Sequence, residues 1–406
     1  MNRKIHEIRK PRYFIRRLHL ANDLSLHLSC IEGQILHIER NLFTSLFSFV
    51  RFDCNMNFLK LVPAQLVLQN GMTYQGHAPK WFKETAFGEV VFTTGMTGYV
   101  ESLTDPSYAG QILSFTFPLI GNYGVPDSSL WESLKIHAKG VIINQICPFY
   151  SHHQAKTSLA QWLHTQKVPF LSGVDTRALT KKIRTEGSML GAITQKDKKT
   201  VSFVNPSSSL VKEVSCSTLK KYGKGKKTII LVDCGMKQSI LRCLLNFPIQ
   251  IKRVPFDYNY LGQEYDGILL SNGPGDPLNC RQTVDILKKA LNKKKPIFGI
   301  CLGAQIMALA AQAKTYKLPY GHRGQNQPCK CIESGRFFLT SQNHGFAIEE
   351  NSLSKNWKVT FRNVNDGSIE GIRHRELPFF AVQFHPEASP GPTDMMGLFE
   401  TFYNML

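Results

Sequence analysis

The sequence predicts an α/β protein in two parts: a mixed α/β amino-terminal domain followed by a doubly wound parallel-sheet domain. Three observations carry this. After Thr228, short apolar runs alternate with helix-like segments, the pattern of βα units around a parallel sheet. Before it, runs rich in β-branched and aromatic residues are bounded by Gly, Pro and Asn, which reads as many strands with tight turns. The 406 residues, 42% hydrophobic and 19% charged, describe a globular chain long enough for two or three domains with a core that needs no staples.

Residues 1–61 read as a basic amino-terminal extension. The first 17 residues hold seven Lys/Arg against one acid, Glu7. No apolar stretch of the secretory kind follows. An arginine-rich organelle presequence is one reading, weakened by Glu32, Glu39 and the lack of serine enrichment. An upstream start codon is another, because MNFLKLVPAQLVLQNG from Met56 reads as an ordinary protein start. Nucleic-acid binding is the least supported, since no aromatic stacking pattern accompanies the charge.

The first module is placed at 62–205. Leu66–Leu68 is a short strand closed by Asn70-Gly71, a strong hairpin signal. Strands are expected at 88–93, 111–117 and 137–143, and helices at 155–165 and 176–186. Residues 206–227, with six lysines and one acid, read as a polar linker. The second module is placed at 228–406, with strands at 229–232, 267–270 and 296–300 and helices at 236–246, 279–292 and 302–313. On such sheets ligands bind beyond the carboxyl ends of the strands.

Composition narrows the function classes. The formal net charge of +19 permits an acidic partner without requiring one. Ten cysteines are scattered with no C-x-x-C pair, which excludes zinc-ribbon and thioredoxin motifs. They fit the reduced thiols of a cytoplasmic protein, with a plastid or other organelle as the setting if residues 1–55 are a presequence. No run approaches the roughly 18 apolar residues of a membrane-spanning helix.

Four segments carry chemistry. Gly299-Ile300-Cys301-Leu302-Gly303 lies between a strand and a helix, a nucleophile-elbow spacing with cysteine in the serine position. The helix amino terminus there favours thiolate, and the Leu302 N–H is a candidate oxyanion donor. In Gln383-Phe384-His385-Pro386-Glu387, extended chain points His385 and Glu387 the same way, as a general base and the carboxylate that orients it. Ser271-Asn272-Gly273-Pro274-Gly275-Asp276-Pro277 follows a strand and offers free N–H groups in a rigid turn. Gln342-Asn343-His344-Gly345-Phe346 reads as a polar turn suited to an amide or an α-amino acid. Each segment alone has a plain structural explanation; a nucleophile, a base pair and two donor loops in one α/β domain do not.

FGICLG, SNGPGDP, QNHGF and FHPEASPGP together resemble the class I, triad-type glutamine amidotransferase domain over about 228–406. The stretches 88–125 and 174–184 resemble the amino-terminal domain of the carbamoyl-phosphate synthase small subunit, so the similarity runs from about residue 65 to the end. The resemblance implies Cys301 as nucleophile and His385 with Glu387 as the base pair. It implies that Ser107, Gln305, Asn343, Gly345 and Phe346 bind glutamine. Gly273, Gly275 and Leu302 would add backbone contacts, Gly273 and Leu302 as oxyanion donors. Two departures stand out: Ala304 replaces the histidine of the usual C-L-G-H-Q, and GHRGQNQP (321–328) differs from the usual glycine- and histidine-rich stretch.

By the same resemblance the chain hydrolyses L-glutamine through a cysteine thioester and hands ammonia to a large subunit. That subunit makes carbamoyl phosphate from bicarbonate and ATP, for arginine and pyrimidine synthesis. No metal or cofactor is expected in this chain; ATP and Mg2+ are expected on the large subunit, with no nucleic acid or membrane as partner. The rival readings are discriminated by sequence. Glutaminases of anthranilate or GMP synthesis share 228–406 but not 88–125, a non-catalytic relative lacks a triad member, and a nucleic-acid binder accounts only for the charge.

Overall fold

The computed structural model describes residues 59–195, 202–203 and 210–406, together with the backbone of four short strands between Leu18 and Ile35. Within the separate unit Met1–Met56, Leu18–Leu20 pairs antiparallel with Leu24–Leu26, and Cys30–Ile31 with Gln34–Ile35. The basic residues 1–17 and the start at Met56 lie outside the described residues.

The front module is built on one mixed sheet. Its strands are β1 (Leu61–Leu68), β2 (Thr73–Pro79), β3 (Ala86–Thr93), β4 (Gln111–Phe115), β5 (Gly140–Ile142), β6 (Phe170–Leu171) and β7 (Met189–Gln195). They lie in the order β6-β5-β4-β3-β7-β1-β2, parallel from β6 to β3 and antiparallel thereafter. The hairpin β1–β2 turns at Asn70-Gly71, where Gly71 takes φ +86° and the Asn70 side-chain oxygen accepts from the Met72 N–H at 3.1 Å. Helices α1 (Tyr99–Thr104), α2 (Leu159–Thr165) and α3 (Thr176–Glu186) complete the module. The helix expected at 155–165 begins only at Leu159, because Ser158 caps it by accepting from the Gln161 N–H. The strand expected at 137–143 is regular only over β5.

The second module is one ten-stranded sheet. Its strands are β8 (Lys220–Tyr222), β9 (Lys227–Asp233), β10 (Ile249–Pro255), β11 (Gly267–Leu270), β12 (Ile297–Ile300), β13 (Thr315–Cys331), β14 (Phe337–Ile348), β15 (Trp357–Asn363), β16 (Ile369–His374) and β17 (Phe379–Val382). Five parallel strands, β10-β9-β11-β12-β17, form the doubly wound half. Strands β11, β12 and β17 are buried at every position, as strands covered by helices on both faces must be. Beyond β17 the sheet continues antiparallel through β16, β15 and the long ribbon β13–β14.

Three expectations need correction. The stretch 206–227 is not a free connector where it is described: Leu210–Val214 is helical with Val211 buried, and β8 pairs with β10. Its lysines flank enough apolar side chain, Val211 and Tyr222, to hold it on the sheet. Gln342–Phe346 is not a turn but the interior of β14, with Asn343 opposite Arg323 and His344 opposite His322. Finally, regular strand ends at Val382, before His385 and Glu387. A turn closed by the Ala388 N–H on the His385 carbonyl at 3.2 Å brings those two side chains together, in place of extended i, i+2 geometry.

Candidate active site

Parallel pairing brings distant residues to one sheet edge. Ile300 lies opposite Val382, and the Cys301 N–H donates to the Val382 carbonyl at 2.8 Å. Residues 84 positions apart in sequence, Cys301 and His385, therefore leave neighbouring strands at the same end. Cys301 sits between β12 and helix α4 (Leu302–Ala310) with φ 54° and ψ −105°, a strained conformation that costs about 1–3 kcal/mol. The flanking glycines permit it. A Cβ on Gly299 would stand 2.7 Å from the Gly303 carbonyl oxygen, and one on Gly303 only 2.3 Å from that of Leu270. Leu302 is the first residue of α4, so its N–H lacks an intrahelical partner.

His385 is buried, and its Nδ1 lies 2.7 Å from Glu387 Oε1. Its other nitrogen, Nε2, has no hydrogen-bond partner of ordinary geometry and is left for the Cys301 sulfur. Burial pulls the His385 pKa down, but the charges of Glu387 and Cys301 more than reverse this and push it up to about 10. For Glu387, burial alone raises the pKa, while Lys237 and His385 bring it down to about 2. Lys237 is the member that sequence reasoning missed. Its buried Nζ lies 3.1 Å from Glu387 Oε1 and also donates to the Ala388 carbonyl. The signal was available: Lys237 follows the end of β9, on the edge where ligands bind.

Of the residues expected to bind substrate, Ser107, Gly273, Gly275, Gln305, Asn343, Gly345 and Phe346 line one cavity of about 50 Å³ together with Cys301. It opens toward a larger cleft of about 790 Å³, with which it shares Glu89, Gln111, Gly275, Lys317 and Phe346. His385 and Glu387 sit behind the sulfur and outside the cavity lining, and Ala304 is packed in the core. Gly273 must be glycine, since a Cβ there would meet the Cys234 carbonyl oxygen at 2.0 Å. Gln305 Nε2 donates to the Phe346 carbonyl at 2.9 Å and to Gln383 Oε1 at 3.1 Å. Gln383 Nε2 in turn points at the Cys301 sulfur, 3.6 Å away.

The front module completes this cavity. Asp105 follows α1 and caps the short turn Pro106–Tyr108 by accepting from the Ser107 N–H at 2.9 Å. The same buried carboxylate accepts from Asn343 Nδ2 at 2.8 Å and Asn272 Nδ2 at 3.3 Å. It thus joins strand β14 to the turn that follows β11 in the second module. Glu132, fully buried, accepts from the N–H and hydroxyl of Ser239 and pairs with Arg242, fixing the two modules together beside Lys237. Beside β14, His322 bridges Asp366 (Nε2, 2.9 Å) and Glu370 (Nδ1, 3.2 Å), and His344 donates toward the Phe346 carbonyl. His322, His344 and Glu370 bring donor atoms within 4.8 Å of one another, close enough for a cation, but hydrogen bonds already engage both nitrogens of His322. Among the described residues no helix is long and apolar enough to cross a membrane.

Known proteins share both modules. Residues 66–193 match the carbamoyl-phosphate synthase small chain, CPSase domain, and residues 230–405 match glutamine amidotransferase class-I. The multifunctional protein ura1 of Schizosaccharomyces pombe is 46% identical over 365 residues, covering 79% of this chain and 16% of that protein. The multifunctional protein CAD of Squalus acanthias is 48% identical over 353 residues, covering 84% of this chain and 16% of that protein. The mitochondrial carbamoyl-phosphate synthase [ammonia] of Aquarana catesbeiana is 44% identical over 372 residues, covering 88% and 25%. This chain thus spans a quarter or less of the length of these relatives. With both domains matched in tandem, it belongs to the carbamoyl-phosphate synthase small-chain family, whose carboxyl-terminal half is a class I glutamine amidotransferase domain.

Proposed function

We propose that the chain is the glutamine-hydrolysing part of a carbamoyl-phosphate synthase. One observation carries this: a cysteine at a strained elbow lies beside the free nitrogen of a buried histidine–glutamate pair, on the wall of a cavity lined also by the side-chain amides of Gln305 and Asn343 and by Gly273, Gly275 and Gly345. Similarity alone does not decide the nitrogen source, because the frog relative is named for ammonia. The intact triad favours glutamine.

Cys301 attacks the side-chain amide carbon as thiolate, its proton held on His385. The Leu302 and Gly273 N–H groups bind the resulting oxyanion. His385 then protonates the departing nitrogen, leaving a glutamyl thioester and ammonia. Water, deprotonated by His385, cleaves the thioester and frees glutamate. Glu387 keeps the imidazole oriented and offsets its charge, and Lys237 holds Glu387 in place and ionised. Ser107, Gln305, Asn343, Gly345 and Phe346 hold the substrate, with backbone contacts from Gly275.

Free ammonia at neutral pH is mostly ammonium, so its transfer must avoid water. The synthetase that uses it with bicarbonate and ATP is a separate large subunit or a fused segment, and ATP and Mg2+ act there. Purified Cys301→Ser protein is expected to lose glutamine hydrolysis while its complex with the synthetase still makes carbamoyl phosphate from ammonium salts. Full glutaminase activity in that variant would remove Cys301 as nucleophile.

A further inference from the structure

The cavity beside Cys301 contains a cation that nothing in the reaction scheme uses. Arg323 is only 5% exposed, yet of its five N–H groups the structure satisfies one, on Nη1, which donates to the Tyr320 carbonyl at 2.6 Å. Its Nε is buried without a partner. A buried guanidinium left so incomplete is costly and calls for an explanation. The nearby carboxylates, Glu89 foremost, offset its charge but give it no hydrogen bond. Glu89 is engaged by Lys317, Ser188 and Gln111, and Asp105 by Ser107, Asn272 and Asn343.

The backbone makes room for this group. A Cβ at Gly321 would stand 2.4 Å from Nη1, and one at Gly345 3.2 Å from Nη2. Strand register sets Arg323 opposite Asn343, so the guanidinium borders the same cavity as the sulfur. Lys317, the other cation there, has a half-exposed side chain paired with Glu89 at the rim.

We propose that Arg323 is a substrate-binding residue that anchors the α-carboxylate of the bound amino acid, placing the side-chain amide at Cys301. This rests on the glutaminase reading and deepens it. A planar, buried guanidinium fork suits a carboxylate better than a lysine does. The anchor makes the site selective for free amino acids over simple amides.

The test compares L-glutamine with 4-aminobutanamide, which keeps the reacting amide and the amine but lacks the carboxylate. In the full chain, Arg323→Met is expected to raise KM for glutamine on the order of a hundredfold, with a smaller change in kcat. It should leave 4-aminobutanamide hydrolysis almost unaltered, so that the preference between the two collapses. Arg323→Lys should recover part of that preference. Alkylation of Cys301 by iodoacetamide at the wild-type rate shows that the pocket of each variant is intact. Equal losses for both amides, or an unchanged preference, would overturn the anchor. Calorimetry with Cys301→Ser protein separates the two ideas. Glutamine binding without preference over 4-aminobutanamide sinks the anchor and leaves the glutaminase reading standing. Selective binding by a wild-type chain that releases no ammonia from glutamine keeps the anchor and sinks the glutaminase reading.

Discussion

Two buried histidine–carboxylate assemblies lie in the second module, and they differ in one nitrogen. His322 and His385 are both enclosed, and in both cases carboxylates outweigh burial to raise the pKa, to about 9 and about 10. In His322 both ring nitrogens bond to carboxylates, Asp366 and Glu370. In His385 only Nδ1 is bonded, and Nε2 is left open toward Cys301. A saturated imidazolium holds chain segments together; an unsaturated one can move a proton. Burial and pKa alone would have ranked the two alike, and it is the vacant nitrogen that separates base from brace.

The two histidines differ most in what their loss does to activity. His385→Asn is expected to cut glutamine hydrolysis on the order of 10³-fold, with a smaller loss of thermal stability because Lys237 remains paired with Glu387. A His322→Asn variant should show the reverse. Glu370 is fully buried, and removing its charged partner costs about 3 kcal/mol of stability, read by urea unfolding. If His322→Asn lost activity as steeply as His385→Asn while unfolding normally, the distinction drawn here would be wrong.

The two histidines also respond differently to pH. The folded pKa of His322 lies above its ordinary value of about 6.5. Its stabilisation is therefore fully present below about pH 6.5 and fades as pH rises through about 9. The stability gap between wild type and His322→Asn should accordingly be wide at pH 6 and narrower by pH 10. For His385 the readout is catalytic. Glu387→Gln removes the largest influence raising its pKa. The alkaline limb of kcat/KM should therefore move to lower pH, with a loss of roughly tenfold or more at pH 8. An unmoved limb would mean that Glu387 does not act through the ring.

What could be read in advance divides along the sheet. Strand–helix alternation places Cys301, Gly273 and the edge they share, because apolar runs and glycine elbows are local signals. Helix α3 was legible to the residue at Thr176–Glu186, where Asp175 caps it by accepting from the Ala178 N–H. The antiparallel half was not legible. Strands β13 and β14 carry Gly, Asn, Gln and His in their interiors, with register shifts near His322 and Gln327, so no period-two alternation survives. From sequence Asn343 therefore reads as a turn residue, although its expected substrate role needs only its place on the cavity wall. Lys237, Asp105 and Arg323 escaped for another reason: each acts across a long sequence separation, and only the packed modules reveal it.

The smallest effect expected is also the one that ties the modules together. Asp105 resembles His322 in being fully bonded, yet its partners include Asn343 and Asn272 on the substrate walls of the second module. Asp105→Asn keeps shape and volume but presents an NH2 group where Asn343 or Asn272 now donates. One bond must be lost or one amide must turn over. A hydrogen bond to a charged group is worth about 1.5–3 kcal/mol, part of which the turned amide restores, so KM for glutamine should rise about tenfold. The pH profile should stay in place, because neither Cys301 nor His385 is bonded to Asp105. A shifted profile with unchanged KM would place Asp105 with the proton-transfer groups. The expected result makes it the front module's hold on the substrate walls, which is the work that the second module cannot do alone.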